Sequence, residues 1–278
     1  MKFSIVTPTR NALDKLRRCV GSVRGQTGVA VRHIVQDAYS SDGTSAWLAA
    51  QPDLDWRSEA DGGMYDAINR GWARADGEIL SWLNSDEQYL PGTLEKVARV
   101  FEADPELDFL YGDALVVDGK GSPIAARREI RLSRTYIANG FLNAFSCTTF
   151  FRRRLLQQHS LQLDTNYRYA ADMDLILRLL SGGARYAKLN DYLSAFMLDG
   201  ENLSCHPGML AETRVIQAKY GALNSTWLRK LVMSGRYVER LLSGSYRKVD
   251  VQYAFAEDEQ PRYRMVSETR VSGSYRTR

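Results

Sequence analysis

Four carboxylates of this 278-residue chain stand where an apolar or extended run breaks into polar residues. Asp37 follows residues 31–35, Asp61 precedes Gly62-Gly63, Asp86 follows the run 79–83, and Asp172 heads the segment Asp-Met-Asp-Leu-Ile-Leu-Arg-Leu-Leu. Acids so placed can accept hydrogen bonds from sugar hydroxyls or a base imide, share a hard divalent cation, or take a proton from a reacting hydroxyl. A single Asp in such a loop is more often a turn or cap residue than a catalyst. In open α/β sheets, however, ligands bind outside the carboxyl ends of strands, so four acids at element ends point to a site.

The elements that must position them form an alternating pattern. Residues 2–7 are a short β-rich run ended by Pro8-Thr9-Arg10-Asn11, and Leu13, Leu16, Val20 and Val23 then recur at helical spacing. A second strand over 31–35 ends at Gln36-Asp37, and a third extended piece over 56–59 leads to a helix over 64–75. The strand 79–83 delivers Asn84-Ser85-Asp86-Glu87, with Glu87 expected to face solvent, and Pro91 opens a helix with Leu94, Val97, Val100 and Phe101 inside. Strands alternating with helices predict a Rossmann-like, mostly parallel sheet with helices on both faces.

After about residue 106 the rhythm changes. Strand-like pieces occur at 107–111, 114–117, 130–132, 144–151, 186–189 and 192–197, with Asp118-Gly119-Lys120-Gly121 a hairpin turn. Helices are expected from Arg152, over 172–180 and over 209–220, with a loop at 200–208. From 225 to 242 Trp227, Leu228, Leu231, Val232, Val238, Leu241 and Leu242 share one helical side, and Arg229, Lys230, Arg236 and Arg240 are interleaved. Such a helix suits peripheral contact with an anionic membrane through 225–248, and equally suits docking its apolar side on the protein body. Beyond Ser243 weak periodicity suggests a partly disordered tail.

A composition of 44% hydrophobic and 25% charged residues fits a globular protein with a full core. No apolar run is long enough to span a bilayer, and the first residues enter a strand instead of a signal sequence, so a cytoplasmic location is expected, with the inner membrane as its periphery. Cys19, Cys147 and Cys205 are too few and too scattered for a disulfide framework or zinc site and read as reduced thiols. The net charge of +4 resides in the tail, where residues 222–278 hold 11 basic and 6 acidic side chains. The near-neutral body argues against nucleic acid as a ligand. The run Arg152-Arg153-Arg154 reads as a solvated charge cluster or a phosphate contact. Asp61-Gly62-Gly63 lacks the lysine of a P-loop, and no Gly-x-Gly-x-x-Gly follows the first strand.

Taken together, Ser4-Ile5-Val6-Thr7-Pro8-Thr9-Arg10-Asn11, Val35-Gln36-Asp37 with Ser41-Asp42-Gly43-Thr44, the block Asp61-Gly62-Gly63-Met64-Tyr65-Asp66-Ala67-Ile68-Asn69-Arg70-Gly71, Asn84-Ser85-Asp86-Glu87 and Ala171-Asp172-Met173-Asp174-Leu175 resemble a family 2 glycosyltransferase of bacterial surface-polysaccharide type. The resemblance covers residues 1 to about 210 in the family's order. It implies a GT-A fold: a Rossmann-like mixed sheet flanked by helices over 1–221, with a nucleotide-binding half at 1–106, an acceptor half at 107–221 and a C-terminal helical extension and tail at 222–278.

By the same resemblance Thr7, Pro8, Arg10, Asp37, Asp61, Asn84 and Ser85 hold the nucleotide of a nucleotide-sugar donor, most simply a UDP-sugar. Asp86 is the last acid of an Asp-x-Asp-like motif that binds Mn²⁺ or Mg²⁺, with Asn84 in place of its first acid, and His206 is a further candidate metal contact. Asp172 matches the general base of an inverting transfer to a glycan or lipid-linked glycan, although Ala171 replaces the usual Glu before it. Asp174 points about 200° away along the helix. Two other readings share these features: a sugar-nucleotidyltransferase, although Thr9-Arg10-Asn11-Ala12 lacks that class's glycines, and a non-catalytic nucleotide-binding scaffold, to which Asn84 and Ala171 lend weight.

Overall fold

The computed structural model describes residues 1–158, 160–200, 202 and 206–274; Cys205 and much of the loop 200–208 lie outside the described residues. Strand β1 (Lys2–Thr9) is the centre of the nucleotide-facing half. It pairs in parallel with β2 (Ala30–Asp37) on one side and with β4 (Ile79–Trp82) on the other, and β3 (Asp55–Ser58) extends the sheet beyond β2. Helices α1 (Leu13–Arg24), α2 (Thr44–Ala49) and α3 (Met64–Ala73) form the crossovers between these strands. The chain thus winds outward from β1 through β2 and β3, then returns to the opposite side of β1. That reversal leaves a crevice at the strands' carboxyl ends, between β1 and β4.

The sheet turns mixed beyond β4. Its order is β3-β2-β1-β4-β8-β6-β9-β5, with β7 (Pro123–Arg127) paired to β6 (Phe109–Val117). Strand β8 (Thr149–Arg152) runs antiparallel to β4 and β6, β9 (Tyr186–Met197) runs parallel to β6, and β5 (Gln88–Tyr89) is antiparallel to β9. The two pieces expected at 186–189 and 192–197 are one strand with irregular register, and no strand forms at 130–132.

Alternate side chains build a core on each face of the sheet, as the two-residue period of a strand requires. Leu80, Trp82, Phe109, Tyr111 and Phe151 pack with Ile68 and Trp72 of α3 and with α7 (Ala171–Ser181). Ile79, Leu110 and Phe150 pack oppositely with α1 and with α4 (Thr93–Ala103). Gly71 lets α3 lie against β1, because a Cβ there would meet Val6 Cγ1 at 2.4 Å.

The tail departs from expectation. Residues 249–256 and 263–271 form an antiparallel hairpin, β10 (Val249–Ala256) and β11 (Tyr263–Val271), whose Val251, Tyr253, Phe255 and Val271 join Leu115, Val117, Ala195 and Met197 in a third core cluster. Its turn reaches α1, where Arg17 pairs with Glu259 at 2.6 Å and Gly21 leaves room for the Asp258 carbonyl. The alternation Val249, Val251, Tyr253, Phe255 is a legible strand signal, and the hairpin it opens is built into the body.

Helix α9 (Thr226–Leu242) does not dock its apolar side on the body, one of the two arrangements its pattern allows. It docks on α5 (Arg134–Asn139) through its basic side. Arg236 is 2% exposed, with its guanidinium 3.8 Å from the Phe141 ring centroid, and Arg240 is 3% exposed and donates to Glu129 at 2.8 Å. Burial lowers the Arg236 pKa to about 10. The apolar side faces outward, as do Trp227 (68%) and Leu242 (79%).

Two stability measurements check this account. Phe255→Ala should cost about 3 kcal/mol in urea unfolding, whereas a detached tail would leave the midpoint unchanged. Glu129, which also pairs with Arg127 at 2.7 Å, neutralises two guanidinium groups. Glu129→Gln should therefore destabilise the fold by roughly 3 kcal/mol by stranding Arg240 in the interior.

Candidate active site

Parallel pairing brings the first set of expected residues to one edge. Thr9 lies opposite Asp37, and Val6 lies opposite Trp82, so the turns after β1, β2 and β4 open together. Packing anchors the last of these: Trp82 stacks on Phe151 and meets Trp72 edge-on at 5.4 Å. The chain after it must then turn out of the core.

The turn at 84–87 is held by Glu87, contrary to its expected exposure. Glu87 is 1% exposed; its Oε2 accepts the Asn84 amide at 2.8 Å, and its own amide donates to the Asn84 carbonyl at 3.0 Å. These two bonds close the turn between residues 84 and 87. Burial, reinforced by the charge of Asp86, raises the Glu87 pKa. The adjacent acids therefore divide their work: Glu87 points inward to Asn84 and Ser146, while Asn84, Ser85 and Asp86 remain half-buried at the edge. Asn84 Oδ1 is a buried acceptor without a protein partner.

Elsewhere on this edge the candidates differ in what they leave available. Thr7 turns its hydroxyl inward to His33 Nε2 at 2.8 Å, and burial holds that imidazole neutral by lowering its pKa to about 3. Pro8 is buried and Arg10 is exposed. Asp37 is fully buried and accepts from the Ser40 amide and from the hydroxyls of Ser40, Ser45 and Ser58, the last at 2.6 Å. Its four lone-pair directions are thus occupied by the β2–α2 turn and β3.

Asp61 is half-buried, with Oδ1 on the Gly63 amide at 2.9 Å. Asp66 likewise takes the Gly62 amide at 2.8 Å, and Arg70 closes the turn on Asp66 and the Ala60 carbonyl. Gly63 has φ 115°, a left-handed conformation suited to glycine. Asn69 of the same block clamps residue 163 from both sides, donating to its carbonyl at 2.8 Å and accepting from its amide at 2.9 Å.

Asp172 joins this block across 107 residues of sequence. Its Oδ1 accepts from the Tyr65 hydroxyl at 3.4 Å and from the Met173 amide at 2.9 Å. Burial raises its pKa to about 6, and Glu212 adds repulsion. Glu212, which no sequence pattern marks, accepts the amides of Arg168, Tyr169 and Ala170 at 2.8–3.0 Å and so holds the entry to α7. Asp174, one face away, is bound to Lys219 at 2.7 Å and to the Tyr220 hydroxyl at 3.1 Å, which commits it to the core.

His206, Arg152 and Arg154 make structural contacts. His206 is the N-cap of α8 (Pro207–Lys219): its Nδ1 accepts the Gly208 amide at 3.0 Å and its ring stacks on Tyr169 at 4.3 Å. The cap uses Nδ1 alone; among the described residues no three His, Cys, Asp or Glu side chains gather as a metal-binding group. Nor are Arg152 and Arg154 a solvated run. Arg152 lies over Phe101 and donates to its carbonyl, and Arg154 pairs with Asp108 at 2.8 Å, so both tie β8 to the loop after α4.

Residues 4–159 match the family model described as glycosyl transferase family 2. An uncharacterized glycosyltransferase of Mycobacterium tuberculosis is 32% identical over 184 residues, covering 63% of this chain and 67% of its own. Among solved structures, S. aureus TarS 1-349 in complex with UDP-GlcNAc superposes with TM-score 0.64 at 20% identity, covering 88% of this chain and 75% of that one. The mannosyltransferase PcManGT from Pyrobaculum calidifontis, in complex with GDP-Man and Mn²⁺, gives TM-score 0.59 at 17% identity, covering 85% and 69%. The mixed sheet and its flanking helices are those of the GT-A fold. With more than half of its length matched by the family model, the chain belongs to glycosyl transferase family 2.

Proposed function

We propose that this glycosyltransferase is an inverting enzyme that moves a sugar from a nucleotide-sugar donor, UDP-linked in our reading, to a hydroxyl of a glycan or lipid-linked glycan in bacterial surface-polysaccharide or lipopolysaccharide assembly. The observation that carries the reading is the hydrogen bond from Tyr65 to Asp172, which sets a carboxylate of pKa about 6 beside the block that begins at Asp61. A base with that pKa is ionised at neutral pH and still has affinity for a proton. The UDP-GlcNAc bound by TarS supports a uridine donor, and the GDP-Man of PcManGT supports the wider class.

In this reading Arg10, Asp61 and Ser85, with the backbone at Thr7 and Pro8, line the nucleotide's place, and Asp37 serves by shaping the β2–α2 turn. Asp86 and Asn84, whose buried Oδ1 has no protein partner, would offer oxygen donors of the kind a hard divalent cation takes. Mn²⁺ or Mg²⁺ bound there would neutralise charge growing on the departing nucleoside diphosphate. Asp172 accepts the proton of the acceptor hydroxyl as that oxygen bonds to the anomeric carbon. The donor's glycosidic C–O bond breaks on the opposite face, its electron pair leaves with the diphosphate, and the anomeric configuration inverts.

Asp172→Asn should lower the transfer rate by about 10²–10⁴-fold with donor affinity nearly unchanged, and wild-type transfer should decline below about pH 6. Asp86→Ala should abolish the metal dependence of donor binding in calorimetric titrations with and without Mn²⁺. Transfer at the wild-type rate by Asp172→Asn would remove Asp172 as the base. Stability provides a separate reading with the opposite sign. The folded pKa of about 6 exceeds the usual 3.8, so the wild type loses stability as pH rises through that interval. Asp172→Asn escapes this loss and should be more stable at pH 8 by on the order of 1 kcal/mol, with no advantage near pH 4.

A further inference from the structure

Helix α9 presents a surface that glycosyl transfer does not require. Viewed down its axis, the inward positions are Arg229, Val232, Met233, Arg236, Glu239 and Arg240, and the outward arc carries Trp227, Leu231, Val238, Leu241 and Leu242, flanked by Leu228 and Tyr237. A surface helix ordinarily does the reverse, burying its apolar arc and hydrating its cations. Here Arg236 is buried with Nε and Nη2 lacking partners while large apolar side chains meet solvent. A continuous apolar face of this kind marks a surface with an apolar partner.

We propose that this face docks on an anionic lipid bilayer, with α9 lying in the plane of the interface. Three features favour that occupant. Trp227 and Tyr237 are amphipathic aromatics of the type that settle at headgroup level, beside leucines that enter the acyl boundary. No acidic residue occupies the outward arc, which instead includes Lys230. Exposed cations accompany it: Lys230 lies on the arc itself, and Arg247 and Lys248 follow the helix in the chain. Such charges complement anionic headgroups. A second copy meeting this face across a two-fold axis would bring Lys230 of each copy to the same interface with no acid on either arc, which charge repulsion opposes. Among the described residues no helix is long and apolar enough to cross a membrane, so the contact is peripheral.

The test uses the full chain with vesicles of phosphatidylcholine alone or mixed with phosphatidylglycerol. Deleting the tail would not serve, because the hairpin is part of the core. The double substitution Leu231→Asp/Val238→Asp alters only exposed or outward side chains and should leave the melting temperature unchanged. Wild type should co-sediment with the anionic vesicles, less with the neutral ones, and the double variant should bind at least about tenfold more weakly. Met265→Asp, which removes an exposed apolar side chain from β11, should bind as wild type does. Wild type that ignores anionic vesicles, a double variant that binds equally, or a solution dimer that the double variant dissolves would each overturn the proposal. The measurement involves no sugar chemistry, so its failure would leave the proposed transfer reaction standing.

Discussion

The parallel pairing of β1 with both β2 and β4 is the constraint on which the rest of the structure depends. Parallel neighbours end on the same edge, so the turns carrying Arg10, Asp37 and the 84–86 segment must open side by side once this register forms. The reversal of winding direction at β1 keeps the crossover helices from closing that edge. Close packing then fixes its height. Gly71 lets α3 settle on Val6, and Trp72 and Trp82 interlock beneath the turn after β4.

Around that edge the protein spends most of its acids on structure. Asp37 is saturated by hydroxyls, Glu87 ties down its own turn, Asp66 caps the glycine block and Asp174 is bound by Lys219. A buried carboxylate is costly unless hydrogen-bonded or paired, which is why these groups appear in closed networks. Asp172 has fewer partners to offset the burial that raises its pKa. Glu212 sharpens the contrast by holding the approach to α7 while adding repulsion to the Asp172 charge.

The same accounting explains α9. Its interleaved Arg and Leu residues announce two faces, yet the interior it meets offers Glu129, the Phe141 ring and backbone carbonyls, so the guanidinium groups go inward. Amphipathic pattern alone carries no information about which face the neighbours will accept. Apolar residues are commonly the buried ones, but a preformed acidic partner can overturn that preference locally.

Local pattern sufficed for the strands and helices of the first hundred residues, the family, and the acids at strand ends, because hydrophobic period and turn chemistry act over a few residues. The hairpin at 249–271 stands instead where a partly disordered tail is expected, although Val249, Val251, Tyr253 and Phe255 of its first strand alternate. The order β4-β8-β6-β9, the inward turn of Glu87, the meeting of Tyr65 with Asp172 and the outward face of α9 were not legible in local pattern. Each depends on which distant side chains arrive at one place, and pairs such as Tyr65 and Asp172 or Arg240 and Glu129 are more than a hundred residues apart in the chain. The sequence by itself determined which residues could do chemistry; only the tertiary structure decided which of them stay uncommitted, because desolvation and pairing are properties of a packed neighbourhood.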